Sequence, residues 1–117
     1  MLTILAEHWL SDIKFYHEEI GFLKKLTSKY AIWLTEDANV EKTYGVLKQL
    51  ADLEQLIKST DEFLTNHLRL AARIERNPTP DDSRRFVAEH ISLEEQIANV
   101  TNLFRNVKRM TFSITEA

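Results

Sequence analysis

The chain has 117 residues, a formal net charge of -3, 44% hydrophobic and 28% charged residues, and no cysteine. Such a length holds one domain with a core of its own, and the balance is that of a folded chain rather than a disordered one. The missing cysteines exclude disulfides, zinc–thiolate sites and thiol nucleophiles, and the negative charge argues against nucleic acid as the main partner.

With only 2 Gly and 2 Pro, the chain lacks the turn residues that an all-β fold needs, so helix is the favoured reading. The opening MLTILAEHWLSDIK has neither a basic n-region nor a small-residue cleavage site, and Glu7 and His8 break its apolar run. It does not read as a signal peptide. No apolar run approaches a membrane span, and a cytoplasmic protein is expected.

The first predicted helix covers about 2–36, with Leu5, Trp9, Ile13, Tyr16, Ile20, Leu23, Tyr30 and Leu34 at spacings of three and four. Phe15, Phe22, Leu26 and Trp33 lie on a flank of that seam and widen the apolar arc. At roughly 100° per residue, the arc takes up about half the circumference, more than an isolated bundle needs. The stretch EHWLSDIKFYHEEIGFLKKLTSKY resembles the beginnings of small, uncharacterised all-helical bacterial proteins with a long first helix rich in Trp, Phe and Lys. That resemblance implies a helical fold and carries no activity and no site residues.

The second helix is predicted over about 39–76, after TEDANVEK, where Thr35, Asp37 and Asn39 are all plausible caps. Its seam is Val46, Leu50, Leu53, Ile57, Leu64, Ala71 and Ile74, with Leu56, Phe63 and Leu70 adding a flank at heptad spacing. NPTPDD then interrupts the pattern. Thr79 followed by Pro80 reads as an N-cap and first helical position, with Asp81 and Asp82 in the first turn, where the helix dipole favours negative charge. The third helix runs over about 80–115 on Phe86, Leu93, Ile97, Val100, Phe104, Val107 and Ile114. Short connections make consecutive helices antiparallel neighbours. The expected fold is all-α: an elongated up-down-up three-helix bundle, self-associating through its surplus apolar faces.

Polar residues interrupt these faces. Counting back from the two turns places His8 and Asp12 of the first helix, His67 of the second, and His90 and Glu94 of the third within one or two turns of one level. His67 falls level with positions 10 and 91; Glu19, Thr60 and Thr101 form a second, smaller layer. Two readings fit the first layer. One is a metal site for Zn, Fe or Mn, since His8/Asp12 and His90/Glu94 are i, i+4 pairs and helix bundles do build sites from inward nitrogen and oxygen ligands. The Glu-x-x-His signature of di-iron bundles is absent, however. The other reading is a structural layer that fixes register by cross-helix hydrogen bonds. The structural layer is the preferred reading.

Arg69, Arg73 and Arg76 share one face at the end of the second helix, near Arg84 and Arg85. They form either a small anion-binding knob or simple compensation of the helix dipole. No glycine-rich phosphate loop and no nucleophile elbow is present. The expected function is therefore a non-enzymatic interaction module, binding a second copy as a homodimer or a protein partner through helix faces. Phe15, Phe22, Trp33, Phe63 and Leu70 are its expected anchors. A metal-binding bundle is the alternative.

Overall fold

The computed structural model describes residues 3–33 and 37–115, and these form three α-helices with no strand among them. Helix α1 spans Ile4–Ala31, α2 spans Asp37–Arg76 and α3 spans Pro80–Thr115. The second turn falls where Thr79 and Pro80 place it. The first comes earlier than expected: α1 stops at Ala31, and Asp37 opens α2, with Asn39 already inside it. Apolar spacing cannot locate such an end, because its capping residues are polar and three candidates compete. Leu34 and Thr35 lie outside the described residues.

Each end has a local cause. Glu7 in the first turn of α1 and Lys29 in its last complement the dipole. At the second turn, the Asp82 backbone N–H donates to Thr79 Oγ1 at 3.2 Å, the bond of an N-cap to its third helical residue. The Asp82 carboxylate also accepts from Arg73 Nε at 3.0 Å and Nη2 at 2.5 Å, tying the end of α2 to the start of α3. This hydrogen bonding from Arg73 holds the Asp82 carboxyl below the usual carboxylate range and raises the Arg73 guanidinium further.

The helices lie side by side in a rod of 62 × 18 × 16 Å. Its radius of gyration is 18.2 Å, whereas a compact chain of this length would have about 13 Å. Helix α2 is the middle element and packs closely on both neighbours; α1 and α3 touch each other far less. The main core joins all three helices through Trp9, Ile13, Ile20, Leu23, Leu50, Ile57, Leu64, Leu93, Val100 and Phe104. A smaller cluster of Leu70, Ala71, Ile74 and Phe86 draws on α2 and α3 alone.

This division of neighbours explains the broad apolar arcs. On α2 the extra width is used within the chain: Leu70 is buried in the smaller cluster, and Phe63 is half-buried against the main core. Neither is a free anchor, which corrects the expectation for these two residues. The physical reason is that the middle helix has two faces to cover. On α1 the extra width stays outside, with Phe15 and Phe22 about half exposed and Trp33, just beyond the helix, more so.

Buried threonines satisfy themselves locally. Thr27, Thr43, Thr60 and Thr111 donate to the carbonyls of Leu23, Asn39, Leu56 and Val107, each one turn back, at 2.7–2.8 Å. A hydroxyl can thus enter an apolar seam without a cross-helix partner.

Candidate functional site

The polar layer sits between the two apolar clusters. Its centre is His67 on α2, which is fully buried. His67 Nδ1 lies 3.0 Å from Glu89 Oε1 on α3, and Arg85 Nε donates to Glu89 Oε2 at 2.9 Å. A carboxylate accepts only, so the imidazole donates from Nδ1. Burial pushes the Glu89 carboxyl up, but the hydrogen bonds from His67 and Arg85 and the Arg85 charge outweigh it and hold the group below its ordinary value.

Rings fill the rest of the layer. Phe86 stacks on His67 at 4.2 Å between centroids, and His90 stands 5.7 Å from His67 and 4.8 Å from Trp9. His67 Nε2 and His90 Nδ1 are buried without a hydrogen-bond partner among the described residues. The layer is therefore an aromatic stack across three helices, pinned at one edge by a carboxylate. The shared level of His67 and His90 agrees with the register counted from the turns.

The five-residue ligand set does not assemble. His8, Asp12 and Glu94 are exposed, and no three His or carboxylate side chains among the described residues are grouped to hold an ion. The reason lies in the helix wheel. Position 89 faces α2 and position 90 faces α1, while residue 94, one turn beyond His90, continues outward past that flank. Glu89, which sequence reasoning missed, takes the role that Glu94 was given. Spacing could have found it, because 89 is three residues after Phe86 and four before Leu93 and so continues the seam as well as His90 does.

The second layer is likewise re-partnered. Thr60 Oγ1 accepts from Gln96 Nε2 at 2.6 Å, and Tyr16 Oη pairs with Thr101 Oγ1 at 3.2 Å. Glu19 joins neither of these bonds. Both pairs cross between helices, as a register-setting role requires.

The second candidate region is the outer flank of α1. Ile4 is 52% exposed, Phe15 52%, Phe22 54% and Trp33 79%. At roughly 100° per residue Ile4, Phe15 and Phe22 project within a narrow arc, well away from the buried seam of Trp9, Ile13, Ile20 and Leu23, and Trp33 follows just past the helix end. The flank is open because α3 covers little of α1. Comparison with protein-family models, with curated proteins and with solved structures gives no match. The chain's own geometry is therefore what bears on function.

Proposed function

We propose that this protein is a non-enzymatic helical interaction module whose partner is a second copy of itself, docked through the outer flank of α1. The observation that carries the reading is the placement of Ile4, Phe15, Phe22 and Trp33 among the exposed apolar residues. Phe15 and Phe22 stand equally far either side of a point between Glu18 and Glu19, one residue from the α1 midpoint. Ile4 and Trp33 also stand equally far from that point. Two copies of this strip laid antiparallel would set Phe15 of one against Phe22 of the other twice over, and Ile4 against Trp33 at both ends.

A two-fold interface has this requirement: residue i meets j while j meets i. Charge follows the same plan. Glu7 lies near the start of α1 and Lys29 near its end, so antiparallel copies bring opposite charges together beside the apolar strip. Exposed apolar patches of this kind mark interfaces, and large aromatic anchors dominate their energetics. The mechanism is burial of the strip with no chemistry.

Light scattering on the whole chain tests the reading. The expected mass is that of two chains for the natural sequence and of one for Phe22→Asp. A single-chain mass for the natural sequence at concentrations well above micromolar would refute it.

A further inference from the structure

Four arginines surround one open cleft of about 350 Å³ where the end of α2 meets the start of α3. Arg69, Arg73 and Arg76 come from α2 and Arg85 from α3, with Asn66 and Leu70 completing the walls. The three on α2 follow one another by four and three residues, so their side chains rise in a row. From Arg69 to Arg76 the row is about 10 Å long.

The four guanidinium groups are not equivalent. Arg73 gives Nε and Nη2 to Asp82, and Arg85 gives Nε to Glu89. Each of these two is held in place by a carboxylate and keeps terminal N–H groups unused: Nη1 on Arg73, both Nη atoms on Arg85. Arg69 bonds only the neutral side chain of Asn66, at 3.2 Å, and Arg76 takes no hydrogen bond or ion pair among the described residues. Two positive charges in the cleft are thus matched and two are not.

Dipole compensation covers only part of this arrangement. It accounts for Arg73 and Arg76 in the last turn of α2. It does not account for Arg69, which lies before that turn, or for Arg85, which lies beyond the first turn of α3. Four guanidinium groups converging from two helices, two of them anchored and two unmatched, need another explanation.

The geometry points to an anion-binding site for a small, multiply charged phosphate-class ligand, with diphosphate as its simplest form. Planar forks with spare N–H groups suit tetrahedral oxyanions. The two unmatched charges set the demand at two negative charges or more, and the cleft is roomier than one phosphate group needs. A long polyanion fits poorly, because the basic groups occupy one end of a chain whose net charge is -3. This site is separate from the α1 flank and does not depend on dimer formation.

The test is thermal unfolding of the full chain with inorganic phosphate, diphosphate, or sodium chloride at matched ionic strength. A ligand that binds only the folded form raises the melting temperature in step with its concentration. Diphosphate is expected to raise it by several degrees at millimolar levels, phosphate less, and chloride not at all. The double variant Arg69→Gln/Arg76→Gln should lose the diphosphate shift, while Arg105→Gln, far along α3, should keep it. An equal shift with chloride, or a diphosphate shift that survives in the double variant, would overturn the assignment. So would a short single-stranded oligonucleotide that binds where diphosphate does not.

Discussion

Glu89 Oε1 lies 3.0 Å from His67 Nδ1, and this one bond joins the last quarter of α2 to α3 at the boundary between the two apolar clusters. His67 is fully buried, so its imidazole has no water to fall back on if the carboxylate is removed. Glu89→Ala should therefore cost about 1–3 kcal/mol, the penalty for stranding a buried polar group. Replacing both residues, as His67→Leu with Glu89→Leu, should cost clearly less than the two single changes added together. Urea unfolding of the four proteins in that cycle measures it. Strict additivity would show that the pair is not coupled.

Acid should loosen the joint between α2 and α3. Asp82 and Glu89 both have carboxyls held below their ordinary values, Asp82 chiefly by the Arg73 hydrogen bond and Glu89 by His67 and Arg85 against the pull of burial. A group with a lowered folded value binds protons more weakly folded than unfolded, so its stabilisation is complete above the ordinary carboxylate range near about 4. It is lost as pH falls through the lowered values. Unfolding followed between neutral pH and pH 2 should show falling stability over that window, and Asp82→Asn combined with Glu89→Gln should flatten the fall.

Gly45 gives a prediction of the opposite sign. A Cβ added at Gly45 meets nothing within 4 Å, and the residue lies inside α2 with an ordinary backbone. Gly45→Ala should stabilise the chain by roughly 0.5–1 kcal/mol through helix propensity alone. A rise of a few degrees in melting temperature is the readout. No rise would mean that the position serves a purpose outside the monomer.

Leu70 and Phe22 separate the core from the proposed interface. Leu70 is buried in the small α2–α3 cluster, so Leu70→Ala should cost about 2–5 kcal/mol in unfolding free energy and leave the subunit count alone. Phe22 is half exposed on α1, so Phe22→Ala should do the reverse. It should weaken self-association by about 2 kcal/mol or more while barely changing the stability of the single chain. Dilution-dependent sedimentation together with denaturant unfolding distinguishes the two effects.

Much of the fold was legible because helix ends and apolar seams are local. Thr79 and Pro80 announce the start of α3, and the spacing of Phe86, Leu93, Ile97 and Val100 gives its buried face without knowledge of any neighbour. The meeting of His67 with His90 follows from the two turns together with the place of each residue in its own seam. What could not be read is which flank of each seam faces which helix. That depends on α2 standing in the middle, and it sends Phe63 and Leu70 inward, leaves Phe15 and Phe22 outside, and makes Glu89 rather than Glu94 the partner of a histidine. His8 and Asp12 share a level with the layer but point away from it, since level along a rod says nothing about direction around it.

The proposed pairing of α1 flanks also carries a charge that opposes it. In antiparallel pairing Glu18 sits beside the two-fold axis and faces its own copy, a repulsion that Glu18→Gln should relieve by up to about 1 kcal/mol.

That axis also supplies the most direct test of antiparallel self-pairing through α1. The chain contains no cysteine, so a single introduced thiol reports its own surroundings without interference. Under mild oxidation Glu18→Cys should form a disulfide-linked dimer rapidly, because the two copies of position 18 lie close together. Lys29→Cys should not, because its two copies lie at opposite ends of the paired helices. Equal crosslinking at both positions would mean parallel pairing, and crosslinking at neither, with a single-chain mass, would mean that the flank holds no second copy.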